Sequence, residues 1–212
     1  NIPSRTGVNM SVDTVKTLAR KYENIVAIKQ SFGDMDAVTE LRANCPNDFA
    51  IYSGDDSLTL PMLSLGAHGV ISVASHLFGK EIKSMIRNFK TGDSMTAKNM
   101  HLKLYPIFKK LFMAPNPVPV KAALAYKEII EDYVRRPLVE LTKAEKAELI
   151  FTLDVLKNAN TKSIKLLLET RKNKRKHKYF FTRHTYYREK KHIFTYIPTA
   201  ALCINTLTLT GA

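Results

Sequence analysis

A chain of 212 residues with 45% apolar and 25% charged residues is long enough to bury a core, which excludes a mini-protein and a chain disordered throughout. Its formal charge of +14 does not make the body a nucleic-acid binder, because the charge is unevenly spread. Residues 1–156 hold 20 Lys and Arg against 17 Asp and Glu, whereas residues 157–212 hold 13 against 2. A near-neutral globule followed by a basic tail is expected. The two cysteines, Cys45 and Cys203, lie far apart and imply no disulfide framework, so a reducing, cytoplasmic setting fits best. Neither an initiator Met nor a secretory signal pattern is present at the start.

Taken in chain order, short β-rich runs alternate with amphipathic stretches, the pattern of βα units in a parallel sheet or barrel. Val12 to Lys21 reads as a helix capped by Ser11, and Ile25 to Lys29 as a strand. Met35 to Asn44 reads as a helix capped by Asp34, Phe49 to Tyr52 as a strand, Leu58 to Leu65 as a helix and Gly69 to Val73 as a third strand. These strands are apolar and short enough to be buried on both faces. After Gly79 the pattern is helical: Lys80 to Phe89, Ser94 to Phe112, Val118 to Ile130 and Lys143 to Leu156. Gly92 and the run Pro115-Asn116-Pro117-Val118-Pro119 interrupt it, because proline cannot continue a helix. The expected division is a partial (β/α) barrel over 1–92, a helical domain over 93–157 and a basic, aromatic tail over 158–212.

Lys29 ends a strand expected to be buried. Burial of an ammonium is costly and favours the neutral, nucleophilic amine, which can add to a carbonyl and form an imine. A lysine that snorkels to solvent gives the same pattern. Arg5 lies in the stretch Asn1-Ile2-Pro3-Ser4-Arg5-Thr6-Gly7, where a barrel places a βα loop, and its guanidinium suits a carboxylate; a surface arginine gives the same pattern. In Ser53-Gly54-Asp55-Asp56, Gly54 permits close backbone approach, and the aspartates can cap the next helix or orient other groups. Ile71 sits in the third strand, whose backbone faces the barrel mouth. His68, His76 and His101 show no metal-ligand spacing and are read as structural, so no metal is inferred. No Gly-x-Gly-x-x-Gly or Walker loop appears.

Six motifs occur in order across roughly residues 1–157: Asn1-Ile-Pro-Ser-Arg-Thr-Gly7, Ile28-Lys29, Ser53-Gly-Asp-Asp56, Gly69-Val-Ile-Ser-Val73, Pro115-Asn-Pro-Val-Pro-Val-Lys121 and Arg136-Pro-Leu-Val139. Together they resemble the second half of the dihydrodipicolinate synthase (4-hydroxy-tetrahydrodipicolinate synthase) family. The resemblance implies the C-terminal half of a (β/α)₈ barrel followed by a helical domain, and a class I aldolase reaction in lysine biosynthesis. In that reaction pyruvate condenses on a lysine as an imine, becomes an enamine and attacks L-aspartate-4-semialdehyde. By the same resemblance Lys29 matches the imine-forming lysine and Arg5 the arginine that binds the aldehyde's carboxylate. Ile71 matches the residue whose main chain contacts pyruvate, and Gly54 lies in the loop facing it. No cofactor beyond the covalent imine is implied, and the complete family enzyme is a homo-oligomer.

Departures from the family pattern shape the remaining expectations. Its relay tyrosine falls immediately before the position of Asn1, and its first half, with the Gly-Thr-Thr loop, has no counterpart here. At Gln30-Ser31-Phe32 the family more often carries an acidic residue and small residues. A truncated product or fragment with impaired turnover is therefore expected. The tail also departs: Lys172 to Lys178 is a basic run followed by Tyr179, Phe180, Phe181, Tyr186 and Tyr187. A disordered or non-native extension is expected there, with neither nucleic acid nor membrane as partner. The alternative is an inert fragment whose tail binds nucleic acid or an anionic surface through phosphate contacts and stacking.

Overall fold

The computed structural model describes residues 1–158. Its strands are β1 (Ala27–Gln30), β2 (Ala50–Ser53) and β3 (Gly69–Val70), and its helices begin with α1 (Pro3–Thr6), α2 (Val12–Lys21), α3 (Met35–Asn44) and α4 (Thr59–Ser64). They continue with α5 (Ser75–Lys90), α6 (Ser94–Lys110), α7 (Val118–Tyr126) and α8 (Lys143–Asn158). The strands form a parallel sheet in the order β1-β2-β3, with Lys29 opposite Tyr52 and Tyr52 opposite Gly69. The α/β class and the βα alternation expected from the sequence are those observed.

Ile28 and Ile51 project from one face of the sheet into a core with Val15 of α2, Val38 and Leu41 of α3, and Met62 of α4. β-Branched residues at alternate strand positions and apolar residues at helical spacing meet there. The other face is open, which corrects the expectation of strands buried on both sides: along β1 burial alternates, and Lys29 is exposed between buried Ile28 and Gln30. The covering helices α2, α3 and α4 reach only one face among the described residues. A second core joins α5 to α8 through Ile82, Leu104, Ile107, Phe108, Ala123 and Leu149. All described residues belong to one compact unit.

Capping fixes several boundaries. Ser11 Oγ accepts from the Thr14 amide at 3.2 Å and Asp34 Oδ1 from the Ala37 amide at 3.0 Å, as expected. At the start of α8, Thr142 and Glu145 bond to each other's backbone reciprocally. Three expected boundaries move by three residues or more. The third strand stops at Val70 instead of Val73, because the amides of Val73 and Ala74 bond to the Asp56 carboxylate and Ser72 Oγ receives the Ser75 amide. That starts α5 at Ser75, five residues before the expected Lys80, with a bend at Phe78 (φ −130°, ψ 32°). The helix expected to reach Ile130 ends at Tyr126, since Glu128 adopts φ 57° and the Ile129 amide turns back to the Leu124 carbonyl at 3.1 Å.

The expectations for residues 158–212 fall, apart from Asn158 itself, outside the described residues. Among those described, no helix is long and apolar enough to cross a membrane, and no three His, Cys, Asp or Glu side chains are grouped to hold a metal ion.

Candidate active site

Parallel pairing brings the C-terminal ends of three strands side by side, so residues far apart in sequence share one edge. Lys29 stands on the open face of β1, with Tyr52 beside it in register on β2 and Gly69 next on β3. Of the two readings its strand position left open, Lys29 takes the exposed one, and among the described residues its Nζ has no hydrogen-bond or ion-pair partner. Its main chain is held on both sides. The Lys29 carbonyl accepts from the Asn1 amino group at 2.9 Å, and the next residues are tied by Ser31 N to Asn1 O at 2.8 Å and Gly54 N to Gln30 O at 2.8 Å. Among the described residues the amine is open to solvent, on a strand whose end is held.

Gly54 shows why a glycine follows β2. A Cβ at this position would stand 1.6 Å from Ser31 Oγ, 2.7 Å from Ser31 Cβ and 3.0 Å from Ser31 Cα. The β1 and β2 ends therefore approach more closely than any side chain permits. Ile71 follows β3 and extends the ladder by one bond, its amide to the Ser53 carbonyl at 2.9 Å, while its side chain is 49% exposed. Arg5 lies in α1, which Gly7 closes at φ 72°. Its Nη2 reaches the Asn116 carbonyl at 3.5 Å, the outer limit of a hydrogen bond, which links the first motif to the Pro-Asn-Pro turn 111 residues later. Lys29, Gly54 and Ile71 sit on the strand ends and loops at this edge, and Arg5 lies on α1, which follows the Asn1 that bonds to Lys29 and Ser31. A cavity of about 740 Å³ lined by Phe78, Leu104, Lys127 and Leu153 lies within the helical part and contains none of them.

Tyr52 adds a neighbour to this edge, and Asp56 takes the second of the two roles expected for the aspartates, orienting other groups. Tyr52 flanks Lys29, a placement that only the strand register reveals. Asp56 does not cap the helix that follows it. It is 2% exposed, and its Oδ2 accepts from Val73 N at 3.2 Å and Ala74 N at 2.9 Å. Burial raises its pKa above the ordinary carboxylate range, against the Ser72 hydroxyl and the Ala74 and Val73 amides, which lower it. Between the unfolded and the raised folded value the native chain binds more protons, so Asp56 makes stability fall as pH rises through that window. In Asp56→Asn that contribution disappears. Urea unfolding at several pH values is expected to show the variant losing less stability than the parent over the same rise.

Two of the histidines make packing or backbone contacts. His68 Nδ1 accepts from the Ile51 amide at 3.3 Å, and His101 is packed against Tyr105 and Phe108, where burial lowers its pKa.

Residues 1–156 match the model of the Dihydrodipicolinate synthetase family. The chain belongs to this family. It is 56% identical over 145 residues to the 4-hydroxy-tetrahydrodipicolinate synthase of Desulforamulus reducens, covering 68% of this chain and 49% of that protein. The Bacillus subtilis synthase is 47% identical over 156 residues, covering 74% and 54%. Among solved structures, the synthase of Methylacidiphilum fumariolicum SolV superposes with a TM-score of 0.73 at 46% identity, covering 74% of this chain and 53% of that one. A chloride-inhibited dihydrodipicolinate synthase from Acinetobacter baumannii, solved with pyruvate, gives 0.70 at 34% identity with coverages of 74% and 53%. The chain thus spans about half the length of the relatives it matches.

Proposed function

We propose that this chain carries the imine-forming part of a 4-hydroxy-tetrahydrodipicolinate synthase site, on strands from the second half of a (β/α)₈ barrel. The observation that carries the reading is the exposed amine of Lys29 on a strand whose carbonyl is pinned, at the edge that also holds Gly54 and Ile71, with Arg5 on the short helix that follows Asn1. Family membership supports pyruvate and L-aspartate-4-semialdehyde as the substrates.

In this reading the neutral Lys29 amine adds to C2 of pyruvate, the carbinolamine loses water, and a protonated imine forms. The cation draws electrons from C3, so loss of a C3 proton gives an enamine. C3 then attacks the aldehyde carbon of the second substrate, whose carboxylate Arg5 binds, and the aldehyde oxygen takes up a proton. Attack of that substrate's own amino group on C2 closes the ring and expels the Lys29 amine, which is regenerated. The main chain at Ile71 and the Gly54 loop line the pyruvate end. No metal and no separate cofactor enters these steps.

Incubation with pyruvate and borohydride reduces the imine to a stable secondary amine. Intact mass is expected to show a single pyruvate adduct on the folded chain and none on Lys29→Ala. A folded parent chain that acquires no adduct would sink the reading.

A further inference from the structure

We infer that Asp56 is a positioning residue that sets the main chain at Ile71 from the end of β2. The inference rests on the function proposed above, in which that main chain meets pyruvate.

The segment Ile71 to Ala74 leaves the sheet one bond after β3, and the end of β2 and the turn after it hold it at two points. The Ser53 carbonyl receives the Ile71 amide at 2.9 Å, and Asp56 Oδ2 receives the Val73 and Ala74 amides at 3.2 and 2.9 Å. Packing contributes little at Ile71, whose side chain is 49% exposed. Its position is therefore a backbone matter, decided by those two acceptors. The carboxylate is also an expensive way to satisfy two amides. Asp56 Oδ1 is buried without a hydrogen-bond partner among the described residues, so half of the group is desolvated for no return. An amide oxygen would accept both bonds without burying a charge. What the charge adds is a stronger acceptor on one oxygen that serves two donors, and hence a stiffer clamp on the turn. The same carboxylate stands at the first turn of α5, where the helix dipole favours it. The Gly54-Asp55-Asp56 run thus acts on both neighbours of β2: Gly54 lets β1 approach, and Asp56 holds the exit of β3.

The test compares the parent chain, Asp56→Ala and Asp56→Asn by borohydride trapping against pyruvate concentration. Loss of a clamp is expected to raise half-saturating pyruvate about tenfold in Asp56→Ala, with the trapped amount at saturation unchanged. Asp56→Asn, which keeps one acceptor oxygen, is expected to fall between the two and covers the case in which the alanine variant does not fold. A half-saturation equal to the parent's in the folded variants would overturn the inference and leave Asp56 a purely structural residue. Hydrogen exchange supplies a readout independent of pyruvate. Exchange at the Ile71 amide is expected to speed up in the variants, and unchanged protection there overturns the inference. If the parent traps no pyruvate at all, the proposed function fails on its own, and the exchange result still decides whether Asp56 holds Ile71.

Discussion

Gly54→Ala is expected to destabilise the chain by about 3 kcal/mol, near the upper end of what overpacking costs. Rotation of Ser31 can move its Oγ away from the added methyl, but its Cβ and Cα, at 2.7 and 3.0 Å, can retreat only if β1 moves. That movement strains the bond from Gly54 N to Gln30 O, one residue beyond Lys29, so the damage falls on the candidate lysine's own strand. Trapping by pyruvate is expected to weaken even in the fraction that stays folded. The double variant with Ser31→Gly removes two of the three clashing atoms and is expected to recover part of the loss, a non-additivity that marks direct contact. Urea midpoints of the parent, both single variants and the double variant measure this. Equal stability of Gly54→Ala and the parent would show that the two strand ends are farther apart than described.

The other large effect belongs to the helical core. Phe108 is 2% exposed, its ring lies 5.9 Å from that of His101, and it packs in the cluster that includes Leu104, Ile107 and Leu149. Phe108→Ala is expected to cost about 4 kcal/mol, the lost transfer energy plus an unfilled cavity. Ala74 and Ile82 belong to the same cluster, and Ala74 is one of the two residues whose amides Asp56 holds. The variant therefore loosens the β3 exit as well as the helices. A lowered urea midpoint with an unchanged slope is the expected readout.

Much of this arrangement is legible in the sequence because it rests on local signals. Alternating apolar runs announce the parallel strands, and Ser11 and Asp34 announce the helix starts they cap. The candidate residues lie in ordered motifs, and parallel pairing places Lys29, Gly54 and Ile71 at one edge. What was not legible depends on distant partners. Nothing near Asp56 in sequence says that its carboxylate serves amides 17 and 18 residues away, and the same bonds end β3 early and start α5 sooner than periodicity suggests. Tyr52 becomes a neighbour of Lys29 only through strand register. The short helix α1 lacks the length for any periodic signal. The strand of Lys29 reads as buried on both faces because it is apolar, yet one of its faces is open among the described residues.

The central claim is that one particular lysine forms an imine with pyruvate. Proteolytic peptide mapping after pyruvate and borohydride treatment of the folded chain tests it most directly. The adduct is expected on the peptide containing Lys29 and on no other lysine. An adduct spread over surface lysines, or confined to a different one, would contradict the account.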